Sequence, residues 1–91
     1  MKVSEDYIMR EIAGEYILVP MGAAAANFNG LISMNETGKF VVEQLSREHH
    51  LSELVERMIE EYDVSRENAQ ADLERFLQQL REIGALVEEH P

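Results

Sequence analysis

The side chains that could do chemistry in this chain are three histidines and a set of paired carboxylates. His49 and His50 are adjacent, so their imidazoles point in different directions, and no third metal ligand follows them at helical spacing. We interpret this pair as part of a loop between two helices, with the imidazoles in solvent. The carboxylates pair on predicted helix faces: Glu60 with Glu61, Asp72 with Glu74, and Glu88 with Glu89. Acid–base catalysis needs one member of such a pair to be desolvated, which a polar helix face does not provide.

The sequence also lacks the common motifs for nucleophilic catalysis and phosphate binding. The Gly-x-Ser-x-Gly, P-loop and dinucleotide-binding patterns are missing, as is the Asp-Ser-Leu type of motif that a carrier protein needs at a helix start. Because there is no cysteine, disulfides, thiolate zinc sites and iron–sulfur clusters are excluded. We therefore predict that this chain is not an enzyme, that it binds no cofactor or metal, and that its function lies in a surface.

The charge of the chain narrows the choice of partner. The 91 residues carry a formal net charge of −10, and residues 41–91 hold thirteen of the eighteen acidic residues. This negative charge opposes binding to nucleic acids and to anionic membranes. It favours solubility, or electrostatic steering of this protein toward a basic peptide or a basic face of an enzyme. No apolar run approaches the ~18–20 residues of a membrane span. The first six residues also lack the apolar region of a secretion signal, so we expect a cytoplasmic protein.

The first third of the chain has the residue pattern of a small sheet. Residues 7–12 alternate between two faces, Ala13-Gly14 breaks the pattern, and residues 15–19 are rich in strand formers, which together predict a hairpin. Pro20 cannot donate to a ladder and should lie at a strand end. We interpret residues 21–30 as a loop with room for one helical turn, and residues 31–34 as a third strand.

The remainder of the chain predicts three helices. Asn35 is a good N-cap for a helix that ends near Leu45, and Ser65 is a credible N-cap for the third helix, which Gly84 ends. The second helix has the clearest apolar stripe: Leu51, Leu54, Val55, Met58, Ile59 and Tyr62. Residues 85–87 then return apolar side chains to the core. We predict one α+β domain over residues 1–91, a three-stranded antiparallel sheet followed by a three-helix bundle.

A sheet of three strands has two edges, and an exposed edge can pair with a strand from another chain. If residues 31–34 are such an edge, the opposite wall is the third helix. Phe76 would border that groove, and its polar neighbours Asp72, Arg75 and Gln79 would flank it. The alternative is that the stripe residues Leu73, Phe76 and Leu80 are simply core, which is the commoner role of a helical stripe.

Several segments, taken in order, resemble the PqqD-like proteins, which are peptide-recognition elements of pathways that modify ribosomally made peptides. The matching segments are Met9-Arg10-Glu11-Ile12, Tyr16-Ile17-Leu18-Val19-Pro20, Gly30-Leu31-Ile32-Ser33-Met34-Asn35-Glu36-Thr37-Gly38, Tyr62-Asp63-Val64, and Asp72 with Phe76-Leu77, Leu80 and Gly84-Ala85-Leu86. The resemblance covers residues 5–88, and the Asn-Glu-Thr-Gly segment is its most specific part.

This resemblance implies a winged-helix-like domain that binds the leader of a precursor peptide and presents it to a modifying enzyme, often a radical SAM protein. In such domains the leader adds a strand beside the third strand, against the third helix. Carried over by position, the contacts are Leu31, Ile32, Ser33 and Met34 on the strand, and Asp72, Arg75, Phe76 and Gln79 on the helix. Replacing Ile32 by proline is then predicted to abolish strand addition, because proline removes a ladder donor.

The sequence departs from the pyrroloquinoline quinone member of this family at two places. Residues 28–30 and 46–50 stand where that member has a Pro-Glu-Gly approach to the third strand and an Asp-Gly turn. These differences favour a pathway for another modified peptide. Two alternatives stay open at this point: a winged-helix nucleic-acid-binding regulator, and a structural subunit that stabilises an enzyme without contacting its substrate.

Overall fold

The computed structural model describes residues 1–26 and 32–88. Its elements in chain order are β1 (Lys2–Val3), β2 (Tyr7–Ile12), β3 (Glu15–Pro20), α1 (Ala23–Ala26), β4 (Ile32–Met34), α2 (Glu36–Gln44), α3 (Leu51–Glu61), α4 (Arg66–Glu82) and β5 (Leu86–Val87). One antiparallel sheet has the order β2-β3-β4, and β1 pairs with β5 in a separate ribbon. The predicted α+β fold, a three-stranded antiparallel sheet followed by three helices, is confirmed.

The hairpin between β2 and β3 follows from the two residues at its turn. Ala13 and Gly14 both have positive φ, 52° and 82°, which is the conformation of a type I′ turn. The register then runs from the pair Ile12–Glu15 to the pair Tyr7–Pro20, so the proline lies at the end of its strand as predicted. The segment interpreted as a loop contains one short helix, α1, which ends at Ala26.

The helices α2 and α4 begin and end at the predicted signals. Asn35 Oδ1 accepts a hydrogen bond from the Gly38 amide at 2.9 Å, which caps α2. Ser65 Oγ caps α4 in the same way. At the other end of α4, Gly84 has a φ of 76° and the Ala85 amide donates to the Leu80 carbonyl at 2.8 Å, which is a Schellman ending. The chain is thereby turned back so that Ala85 is fully buried.

The core lies between the inner face of the sheet and the helices. The sheet contributes buried side chains from β3 and β4, and the helices contribute their apolar stripes: Leu18, Ile32, Met34, Val41, Val42, Leu45, Leu54, Val55, Met58, Ala69, Leu73, Leu77, Leu80 and Ala85. Leu73 and Leu80 are therefore core residues. Within residues 1–26 and 32–88, no helix has the length and hydrophobicity that a bilayer crossing requires.

Two features differ from the sequence-based expectations. The first is the ribbon of β1 and β5, which was not predicted because neither two-residue strand is long enough to show a period. It pairs Lys2 with Val87 and Val3 with Leu86. The interpretation of both imidazoles as solvated is wrong for His49, whose side chain is only 13% exposed. The N-terminal residue covers this loop, because the His49 amide donates to the Met1 carbonyl at 3.0 Å.

Candidate functional site

An open groove of about 290 Å³ runs between the end of β4 and α4. It brings together six of the eight predicted contact residues: Ser33, Met34, Asp72, Arg75, Phe76 and Gln79. Ile32 does not line it, and its side chain is buried in the core. Leu31 lies outside the described residues. The remaining lining residues come from the α2 cap and from the helix faces behind it: Asn35, Thr37, Gly38, Val41, Met58 and Leu73.

The groove has an apolar floor and a polar rim. Its floor is formed by core side chains that are almost fully buried, among them Met34, Val41 and Met58. Phe76 is half-buried, so its ring both packs against the core and faces the groove. A wall of this composition can bury apolar side chains of a guest while the rim offers hydrogen-bonding groups.

Gly38 sets how closely the groove walls approach each other. A Cβ at this position would lie 3.0 Å from Met34 Cβ and 3.3 Å from Phe76 Cε1, closer than ordinary van der Waals contact. The glycine therefore lets the first turn of α2 approach both β4 and α4. The sequence marks Gly38 as part of the most specific segment of the chain, but its role as a close-approach residue appears only in the structure.

The backbone of β3 determines which groups of β4 are available. At the far end of the β2–β3 hairpin, the Met21 amide donates to the Asp6 carbonyl at 2.6 Å. In an antiparallel pair the backbone groups of successive residues point to alternate sides. The odd-numbered residues of β3 therefore bond to β2, whereas the groups of Tyr16 and Leu18 point toward β4.

This alternation leaves Ser33 with its backbone directed outward. Ile32 pairs with Leu18 and Met34 pairs with Tyr16, so the N–H and C=O groups of Ile32 and Met34 face β3. The N–H and C=O of Ser33 face the other way, toward the open edge beside the groove, where no described strand pairs with β4. The predicted Ile32→Pro substitution therefore does not test strand addition. A proline at this position would remove a hydrogen bond between β4 and β3, and it would leave the outward N–H of Ser33 in place.

The charged groups at the rim form a weak ion pair. Arg75 Nη1 lies 3.4 Å from Asp72 Oδ1, and the two side chains are 71% and 53% exposed. A pair this exposed contributes little stability, so either group can exchange its partner for a guest at low cost. Within the described ranges, no group of three or more His, Asp or Glu side chains could hold a metal ion.

The comparisons with known proteins bear on the whole fold. A family model described as "Coenzyme PQQ synthesis protein D (PqqD)" matches residues 15–86. The chain belongs to the PqqD family. Among the curated proteins, none matches it.

A solved structure has the same fold as this PqqD-family chain. It is described as "TbiB1 in Complex with the TbiA(beta) Leader Peptide", and it superposes with a TM-score of 0.76. The identity is 22%, and the match covers 100% of both chains. At this identity the likeness establishes the arrangement of strands and helices.

Proposed function

We propose that this protein binds the leader segment of a ribosomally synthesised precursor peptide as an extra strand on β4, in the groove against α4. It is a non-catalytic chaperone that presents the precursor to a modifying enzyme. The observation that carries the proposal is the outward-facing backbone of Ser33 beside a groove with an apolar floor. Membership of the PqqD family supports it, as does a fold shared with a protein solved in complex with a leader peptide.

The geometry divides affinity and specificity between two parts of the site. An added strand would exchange hydrogen bonds with the N–H and C=O of Ser33, and these bonds do not depend on the guest's sequence. Side chains of the guest alternate across the strand, so every second one points toward the floor at Met34 and Phe76. Specificity then comes from which apolar side chains fit that floor, and from polar contacts with Asp72, Arg75 and Gln79 at the rim.

The partner enzyme in this proposal is a radical SAM protein that modifies a peptide other than the pyrroloquinoline quinone precursor. The protein acts in the cytoplasm, where ribosomally made precursors are available. Nucleic-acid binding is the weaker candidate, because the three arginines of α4 are interleaved with four acidic residues on the same helix: Glu67, Asp72, Glu74 and Glu82. A protein with a net charge of −10 also repels phosphates.

The test is a titration of the ¹⁵N-labelled protein with a synthetic leader from the precursor encoded beside this chain. We expect micromolar affinity or tighter, with amide shifts concentrated on residues 32–34 and 72–79. The reversed-sequence peptide of the same composition is the matched control and should bind at least tenfold more weakly. Shifts centred elsewhere would contradict the site, and equal binding of the two peptides would contradict sequence recognition. A shift of a DNA duplex in a low-salt gel would favour the nucleic-acid alternative.

A further inference from the structure

The sheet has a second open edge, which also runs beside a cleft. β2 is the strand at the opposite side from β4, and no described strand pairs with its outer side. The cleft lies between β2 and the C-terminal half of α2. Its walls include Tyr7, Ile8 and Met9 from the strand, Val42 and Glu43 from the helix, and Ser46 from the turn that follows it. Edge, cleft and helix thus repeat at β2 the arrangement found at β4.

The same backbone alternation identifies the available groups on β2. The backbone N–H and C=O groups of Ile8, Arg10 and Ile12 point toward β3. Those of Tyr7, Met9 and Glu11 therefore point away from the sheet. The Tyr7 amide already donates to the Ser4 carbonyl at 3.1 Å. Met9 and Glu11 are therefore the outward residues at which another strand could pair.

The charges around this edge indicate what could occupy it. Glu5 and Glu43 both line the cleft, and β2 itself carries one exposed acid, Glu11, and one exposed base, Arg10. Of the described residues that line the cleft, none is basic. A second copy of this chain would bring another net charge of −10 to the same place, which opposes self-pairing. A strand with basic side chains complements the edge instead.

We propose that the β2 edge is a second strand-addition site, which takes an extended, basic segment of a protein partner. Only the identity of that partner rests on the proposed function: it is the enzyme that modifies the bound peptide. With a strand spacing of ~4.8 Å, strands added at β2 and at β4 would lie about 19 Å apart on one sheet, so both can bind together. The domain would then hold substrate and enzyme at a fixed separation.

The probe is an acetylated and amidated decapeptide of alternating lysine and valine, titrated into the ¹⁵N-labelled protein. Two matched peptides separate charge from backbone pairing: one has glutamate in place of lysine, and one has its alternate backbone nitrogens methylated. We expect the lysine peptide to shift amides of residues 7–12 and 42–46. The methylated peptide should bind at least ~5-fold more weakly, the factor for about one lost hydrogen bond. The glutamate peptide should also bind more weakly, because its carboxylates meet Glu5 and Glu43 at the cleft.

Variants of the outward residue Glu11 locate the site. Glu11→Pro removes an outward donor without touching the internal ladder, and it should weaken the lysine peptide at least ~5-fold. Glu11→Gln keeps the donor and should change its affinity by less than about threefold, as expected for one exposed charge. Both variants should bind the leader peptide with the affinity of the unaltered protein. If the unaltered protein does not bind the leader but shows the expected shifts with the lysine peptide, the proposed function is rejected and the β2 site is not.

Four outcomes would overturn this inference. They are shifts of the lysine peptide centred outside residues 7–12 and 42–46, equal binding of the methylated or glutamate peptide, no binding at millimolar concentration, and sedimentation showing a dimer that Glu11→Pro dissociates. The three peptides are compared on the unaltered protein, so the inference is tested even if the proline variant does not fold.

Discussion

Ser33→Pro is expected to weaken peptide binding strongly while leaving the fold intact. Ser33 directs its N–H away from β3, so a proline there removes no hydrogen bond of the free protein. Its side chain is exposed, and the residue before it is already extended, as a residue that precedes proline prefers to be. Ile32 is the opposite case, because its backbone faces Leu18 and its side chain is 8% exposed.

The two substitutions should therefore differ in kind. Ser33→Pro leaves a carbonyl of the guest strand without its donor, which costs about 2 kcal/mol, or about 30-fold in affinity. Its effect on the free energy of unfolding should be within about 1 kcal/mol, the span of strand propensities. Ile32→Pro leaves a buried backbone acceptor of β3 without its donor and truncates a core side chain, so it should lower the free energy of unfolding by roughly 4 kcal/mol.

Calorimetric titration with the leader peptide and urea denaturation measure these two quantities. Ser33→Ala is the matched control, because it removes the hydroxyl and keeps the N–H; its affinity should stay within twofold of the unaltered protein. A folded Ser33→Pro protein that binds the leader with undiminished affinity would refute strand addition at β4. A loss of several kcal/mol of stability in Ser33→Pro would refute the backbone alternation on which the reasoning rests.

Three further predictions concern the residues that position the groove and its helices. Gly38→Ala should lower stability by about 1 kcal/mol in urea denaturation, because overpacking against Met34 exceeds the gain in helix propensity; a more stable variant would contradict the close approach. Ser65→Ala removes the cap of α4 and should cost about 1 kcal/mol, whereas an unchanged urea midpoint would mean that the cap is not formed. The His50 amide holds the pKa of Glu53 below its ordinary value of 4.5. The stability that the ionised Glu53 carboxylate contributes is therefore present above pH 4.5 and is lost as the pH falls through the lowered pKa. Glu53→Gln should flatten the acid limb of the curve of stability against pH, and parallel curves for the two proteins would contradict this.

Local signals were sufficient to predict most elements of this fold. The turn at Ala13-Gly14 and the caps at Asn35 and Ser65 act through residues within one turn of the chain, so the sequence alone contains the cause. Phe76 was predicted to border a groove on the third helix, and the groove lies there. Its two possible roles, core and groove wall, were not separable from periodicity, and the structure assigns it both.

The features that could not be predicted depend on contacts between distant segments. The ribbon of β1 and β5 joins residues more than eighty positions apart, through strands too short to show a pattern. His49 is covered by the N-terminal residue, which no local rule places there. The outward backbone of Ser33 required the register of two strand pairs, since a shift of one residue would have exposed Ile32 instead.

Hydrogen exchange at the Ser33 amide tests the central claim most directly. In the free protein this amide is at an open edge and should exchange fast, while the amides of Ile32 and Met34 are protected by β3. Saturation with the leader peptide should slow exchange at Ser33 by at least tenfold and leave the outward amide of Glu11 on β2 unchanged. Peptide binding without protection of the Ser33 amide would contradict strand addition at this edge.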